Sequence, residues 1–255
     1  MSRIGANISI FSMVLIIALP FFSDISIRLP LIINLGFDIL GLFAVLSLVD
    51  PISKYQVELS LKPLKKLLKE LFTTGFYPLS LFLGVVGGVM IANSAYRYVY
   101  VESLGLPIIL VGFIMGLSRL VWFVLARNIN WLEKIKFHNL LFFEIFIFSG
   151  VFLAIALLNN PYVVSVFFII IVGYFWSRKQ IMDGFILKNF VKDKNLKATL
   201  LSLQSQIQFI IQAVFAFVIG FIMDYSFKLG FAVISAAYFL FLSIIFFFLY
   251  KRISH

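Results

Sequence analysis

Three ionisable side chains, Asp38, Arg119 and Glu144, stand inside long apolar stretches of the sequence. A charge at membrane depth is costly, so such groups usually pair with one another or face water. Arg119 and Glu144 lie at similar distances from one end of their stretches, which predicts an ion pair. Arg119 then either binds an anionic substrate, forms a gate with Glu144, or belongs to a structural pair near the headgroups. Asp38 lies deeper and is either a proton-coupling carboxylate or a neutral, hydrogen-bonded acid.

A stripe of polar side chains marks the apolar stretch Thr199–Met223. At about 100° per residue, Gln204, Ser205, Gln208 and Gln212 share one arc of a helix. Amides in hydrocarbon need hydrogen-bond partners, so the stripe either bonds to neighbouring helices or lines a wet cavity. These four residues and Arg119 are the candidates for a substrate cavity, and Asp38 and Glu144 are the candidates for coupling or gating.

Residues for covalent or metal chemistry are scarce. The chain has no cysteine and only two histidines, which excludes disulfides, iron–sulfur clusters, thiolate zinc sites and His-rich metal sites. No Asp-rich or Ser-His-Asp grouping is present, as a membrane-embedded lipid-modifying enzyme would require. We therefore predict no catalytic residue, no metal and no cofactor.

The composition dictates the elements that position these residues. Of 255 residues, 62% are hydrophobic and 13% are charged, which excludes both an ordinary soluble domain and a disordered chain. The sequence predicts an all-α polytopic membrane protein with about eight transmembrane helices. The predicted spans are Ile8–Phe22, Leu29–Val49, Gly75–Ala92, Leu106–Ala126, Asn139–Leu158, Tyr162–Ser177, Thr199–Met223 and Leu229–Tyr250.

The basic residues set the predicted orientation. With the N-terminus inside, most Lys and Arg fall in connections on the inner side, and Arg28, Arg97 and Lys228 fall outside. This bias predicts cytoplasmic termini in a plasma (inner) membrane. The net charge of +10 would then face anionic lipid headgroups, and a nucleic-acid partner is disfavoured. The tyrosines from Tyr96 to Tyr100 either shape an outer vestibule around Arg97 or form an interfacial belt.

Two further patterns concern packing. Leu59–Phe72 alternates leucines and lysines at helical spacing, which predicts an amphipathic helix in the headgroup plane, either a lipid sensor or a linker resting on the bilayer. The pairs Gly84/Gly88 and Gly112/Gly116 allow close approach of helices. They serve either as sliding surfaces in a rocking transition or as ordinary packing contacts.

Several motifs together resemble those of the major facilitator superfamily (MFS) of transporters. Arg28–Pro51 looks like its sixth helix running into the central loop, and Leu59–Thr74 looks like the end of that loop. Lys197–Ser205 (KATLLSLQS) is similar to the "RATxLSxxS" opening of its eleventh helix, with Lys in place of the first Arg. Gly220–Asp224 is similar to the "GxxxD" close of that helix.

The resemblance implies a partial MFS fold covering helices five to twelve, without the first four. Residues 1–50 would be the last two helices of an N-terminal bundle, 51–73 a cytoplasmic amphipathic linker, and 74–255 a complete C-terminal six-helix bundle. The helix bearing the glutamines would line the central cavity. The antiporter glycine–proline motif is not found in Ile4–Phe22, which argues against proton-coupled drug antiport. Arg127–His138, the counterpart of the family's signature loop, keeps basic residues but no glycine.

The function that the resemblance implies is secondary transport of a small solute by alternating access, with membrane lipids and the small-molecule substrate as partners. Two of six helices would leave the first bundle incomplete, so the alternative is an inactive fragment or a non-transporting membrane subunit. A second polypeptide would then supply the missing helices.

Overall fold

The computed structural model describes residues 75–128, 135–190 and 197–253, and in these ranges the chain is helical without a β-strand. The helices are α1 (Phe76–Ala92), α2 (Ser94–Ser103), α3 (Ile108–Arg127), α4 (Phe137–Leu157), α5 (Pro161–Asn189), α6 (Lys197–Tyr225) and α7 (Phe227–Ile253). Helices α3 to α7 are long and apolar enough to cross a membrane, and α1 and α2 together could make a sixth span. A helical membrane protein, as the composition predicts, is confirmed at this level.

The helix ends follow the predicted spans closely, except in α5. Asn160 caps α5 by accepting hydrogen bonds from the backbone N–H groups of Tyr162 and Val163, and Pro161 occupies the first turn, where its missing N–H costs least. The predicted span ends at Ser177, whereas α5 continues to Asn189. The prediction ended too early because it took the first basic residue after the apolar run as the start of a loop.

Helices α1 and α2 meet at a break of 45°. Asn93, the residue between them, is fully buried, and its Nδ2 donates to the carbonyl oxygen of Val89 at 2.6 Å. A side chain that bonds into the backbone ladder is a recognised cause of a helix kink. After α2 the chain turns through Gly105, whose φ of +96° favours glycine.

The most extensive packing joins α1 with α6, α4 with α7, and α3 with α5. Phe142 of α4 contacts Phe246 of α7, and Phe152 contacts Phe231, so these two helices are antiparallel. Helices α1 and α6 run parallel, as do α3 and α5. The helix bundle therefore has two ends. The Tyr100 end is where α2 meets the start of α7, and the His138 end is where α4 begins.

Glycines bring the parallel helices together. A Cβ at Gly84 would lie 2.8 Å from Cδ1 of Ile211, and a Cβ at Gly88 would lie 2.8 Å from the backbone N of Gln212. The close approach predicted for this pair is confirmed, and it joins α1 to α6. Between α3 and α5 the close contact involves Gly173, where a Cβ would lie 2.5 Å from Cγ1 of Val121. Gly112 and Gly116 are both buried.

The outer surface of the bundle is strongly apolar. On α6, Phe217 and Phe221 are 72% and 73% exposed, and many more large apolar side chains are exposed on α4 and α7. An apolar surface this extensive is stable only against lipid or further apolar helices. The exposure supports an integral membrane protein independently of helix length.

Several predictions fall outside the described residues. These are the spans Ile8–Phe22 and Leu29–Val49, the amphipathic helix Leu59–Phe72, and the division into residues 1–50 and 51–73. The predicted third unit, 74–255, contains every described helix, and its identity as a C-terminal MFS bundle stays a prediction.

Candidate functional site

A charged cluster is buried between α4 and α5. Nε of Arg178 donates to Oε1 of Glu144 at 2.5 Å, and Nη2 donates to Oε2 at 2.6 Å. The hydroxyl of Tyr174 donates to Oε1 at 3.0 Å. Glu144 is fully buried and Arg178 is 3% exposed. The two hydrogen bonds from Arg178 and the third from Tyr174 compensate the buried charges. An ion pair persists in a medium of low polarity only under this condition.

This cluster corrects two expectations about charged residues. Glu144 pairs with Arg178, whereas the sequence predicted a pair with Arg119. Arg178 lies inside the bundle, whereas it was assigned to an inner connection. Both differences have one cause: α5 extends beyond Ser177 and carries Arg178 along the face of α4.

Arg119 lies beside two neighbouring indole rings, whose centroids are 6.3 Å apart. Its guanidinium carbon is 5.6 Å from the ring centroid of Trp122 and 5.9 Å from that of Trp176, and its side chain is half-buried. Positions over aromatic faces stabilise a cation electrostatically. The structure therefore places Arg119 at the α3–α5 contact.

The polar stripe of α6 faces the glycines of α1. The side chain of Gln208 fills the space over Gly87, and the backbone of Gln212 lies against Gly88. Gln204 is 7% exposed, and Ser205 is half-buried. Oε1 of Gln212 is buried and has no hydrogen-bond partner among the described residues. Of the two alternatives for this stripe, the structure favours contact with a neighbouring helix, although one acceptor stays unsatisfied.

A second buried guanidinium belongs to Arg97, one turn after the break between α1 and α2. Arg97 is 7% exposed. Its Nη2 donates to the carbonyl oxygen of Met90 at 3.3 Å. Its Nε and Nη1 are buried without a hydrogen-bond partner in residues 75–128, 135–190 and 197–253, and so is Oδ1 of Asn93. No carboxylate in those ranges forms a salt bridge with Arg97.

Arg97 lines a narrow cleft between α2, α3 and α5, with a cavity volume of about 20 Å³. The wall is largely apolar and includes Val111, Ile114, Phe168 and Val172; it also contains Ser118 and Tyr98. Along α3 the cleft runs from about 5 Å to about 15 Å from the first residue, at 1.5 Å per residue. It therefore reaches from the Tyr100 end toward the middle of a bilayer core about 30 Å thick.

The sequence prediction missed Arg97 and Arg178 as buried groups, although a signal for each is present. Asn93 and Arg97 are four residues apart, as are Tyr174 and Arg178. This spacing puts each pair on one helix face, where two polar groups together indicate burial with a shared role. Asp38 lies outside the described residues, which contain no group of three metal-binding side chains.

Comparisons with protein-family models, curated proteins and solved structures find no match to this chain. The MFS resemblance stays a prediction from sequence motifs. The segments Lys197–Ser205 and Gly220–Asp224 lie at the two ends of α6.

Proposed function

We propose that this protein is a secondary transporter, of MFS type, that carries a small solute across the plasma membrane by alternating access, with both termini in the cytoplasm. The observation that carries the proposal is the broken α1–α2 pair. The break leaves Asn93 and Arg97 buried but incompletely bonded, and Arg97 lines a cleft that reaches toward the bilayer centre.

Broken helices support transport for a physical reason. In hydrocarbon every polar group must find a partner inside the protein, so irregular backbone and uncompensated polar groups persist only beside a cavity or a bound ligand. Transporters use such breaks to present polar groups to a solute near the membrane midplane. A purely structural bundle gains nothing from a buried cation that has one hydrogen bond.

The packing supplies a seam at which movement is possible. At the contact between α1 and α6, glycines of α1 lie against both side chains and backbone of α6, including those of two glutamines. By contrast, the Glu144–Arg178 pair fixes α4 to α5 through buried charges. We propose that α1 and α6 tilt along the glycine seam while α4 and α5 move as one unit. The chain forms no covalent bond with the solute in this mechanism.

Single-cysteine labelling tests the proposal, because the chain has no native cysteine to give a background. Ser118→Cys places a thiol in the cleft wall, and sealed vesicles are treated with a membrane-impermeant maleimide from either side. Alternating access predicts labelling from both sides. Lys136→Cys and Lys228→Cys are exposed controls near the His138 and Tyr100 ends, and each should be labelled from one side only.

Uptake of labelled solutes into proteoliposomes is the functional test, with a panel of sugars, amino acids, carboxylates, nucleosides and organic cations. Saturable uptake of one class would support the proposal. No uptake of any class, together with labelling of Ser118→Cys from a single side, would refute it and favour a non-transporting membrane subunit.

A further inference from the structure

We infer that the cleft beside Arg97 binds a small monocarboxylate with an apolar body; as the identification of a transported solute, this rests on the function proposed above. The inference begins from the guanidinium. Arg97 is more than nine-tenths buried, and the N–H groups on its Nε and Nη1 have no acceptor in the described part of the chain. A buried cation left in this state is costly unless an anion completes it.

The geometry of the donors suits an oxyanion. Arginine presents its N–H groups as a planar fork that matches two oxygens of a carboxylate. The neighbouring pair shows how this chain satisfies such a group when it supplies the anion itself: Glu144 accepts from Nε and Nη2 of Arg178 at 2.5 and 2.6 Å. At Arg97 the described chain offers only the carbonyl oxygen of Met90. We infer that the ligand supplies the carboxylate that the protein leaves out here.

The charge of the cleft sets the charge of the ligand. Arg97 is the one charged residue in the cleft wall as the described residues form it. A monocarboxylate would be neutralised by a single guanidinium. A dicarboxylate or a phosphate dianion would keep an uncompensated negative charge in an apolar surrounding, which is strongly unfavourable.

The side chains that line the cleft determine the uncharged part of the ligand. Beyond Arg97, the side chains of Val101, Ile114, Phe168 and Val172 are apolar, and Ser118 provides a hydroxyl. The cavity volume is about 20 Å³, room for little more than one water molecule, so the walls must separate to admit a ligand. The apolar wall favours a carboxylate with a short alkyl chain or a single ring.

The test uses the purified full chain in a neutral maltoside detergent, with butyrate and benzoate as probes. Thermal unfolding and titration calorimetry measure binding. We expect saturable heat and a rise of several degrees in the melting temperature at probe concentrations about 100 times the Kd. Butyramide has the same shape without the charge and should give no shift. A shift with phosphate, chloride or phosphatidylglycerol but not with the carboxylates would overturn the inference.

Two substitutions locate the site. Arg97→Gln should abolish the probe-induced shift, and Arg127→Gln, which removes an exposed arginine from α3, should preserve it. Arg97→Gln should also raise the melting temperature of the ligand-free protein, because it removes an uncompensated buried charge. A structural role for Arg97 predicts the opposite sign. A lower melting temperature for Arg97→Gln, without any probe binding to the unsubstituted protein, would overturn the proposal.

A steric variant keeps the test valid if Arg97→Gln does not fold. Ile114→Phe fills the cleft and leaves Arg97 in place, so butyrate binding should fall at least tenfold. Ile170→Phe adds the same ring on the exposed face of α5 and should bind butyrate normally. Equal binding by both variants would overturn the site. Binding of butyrate in detergent without uptake into proteoliposomes would support the site while counting against transport, so the two proposals can fail separately.

Discussion

Alanine substitutions at three glycines should separate tight helix packing from simple helix propensity. Gly88 and Gly173 lie in the α1–α6 and α3–α5 contacts, and Gly150 lies on the exposed face of α4 with no atom within 4 Å of a Cβ. Each is changed to alanine. We expect Gly150→Ala to be neutral or slightly stabilising, Gly88→Ala to be destabilising, and Gly173→Ala to be the most destabilising of the three.

The magnitudes follow from the distances. At Gly88 a Cβ lies 2.8 Å from the backbone N of Gln212, and ordinary contact begins at 3.4 Å, so the helices must separate by about 0.6 Å. If about 40 atom pairs across the helix contact each contribute ~0.15 kcal/mol of dispersion energy, losing about one third of that energy costs ~2 kcal/mol. Alanine gains about 1 kcal/mol in helix propensity, which leaves a net loss of about 1 kcal/mol. At Gly173 the contact is 2.5 Å, and the same reasoning gives a net loss of about 2 kcal/mol.

The assay is unfolding in mixed micelles with increasing SDS, followed by tryptophan fluorescence and far-ultraviolet circular dichroism. The free energy of unfolding is compared among the three variants and the parent. A loss at Gly150→Ala equal to that at Gly88→Ala would refute the packing argument. A neutral Gly173→Ala would refute the close contact of α3 with α5.

The other predictions concern buried hydrogen bonds and are measured by the same SDS titration. Glu144→Gln leaves the guanidinium of Arg178 buried without its counter-charge and should cost about 3–5 kcal/mol, and a second change, Arg178→Gln, should recover more than half of that loss; a double variant as unstable as the sum of the single ones would contradict the pairing. Ser235→Ala removes the hydrogen bond to the carbonyl oxygen of Ser149 between α7 and α4 and should cost about 0.6 kcal/mol; no measurable change would show that this bond contributes nothing. Tyr100→Phe removes the hydroxyl that donates to carbonyl oxygens at the end of α4 and should cost about 1 kcal/mol; a cost above 3 kcal/mol would show that the hydroxyl has a further role.

The sequence predicted the described spans well because lipid imposes a strong rule on them. An apolar run long enough to cross the bilayer must be helical, and α3, α4, α6 and α7 begin and end within a few residues of the predicted bounds. The predicted end of α5, just before Arg178, was wrong because hydropathy cannot distinguish a charge in a loop from a charge with a buried partner.

Partners were harder to predict than positions. Glu144 was correctly placed within a span, but its partner depends on which face of α5 meets α4, and single-sequence periodicity does not contain that information. The arc of Gln204, Gln208 and Gln212 was predicted correctly as one face of a helix. What it faces, the glycines of α1, follows only from the assembled bundle.

The main helix pairs have a consequence for how the molecule is made. Helix α1 packs against α6, α3 against α5, and α4 against α7, so α1, α3 and α4 each meet their principal neighbour only after at least one further helix has been made. During synthesis the early helices therefore enter the bilayer before the helices that cover their glycine and aromatic faces have been made. A nascent chain that stops before Phe227 lacks the principal partner of α4, and cellular quality control would meet it as an unassembled intermediate.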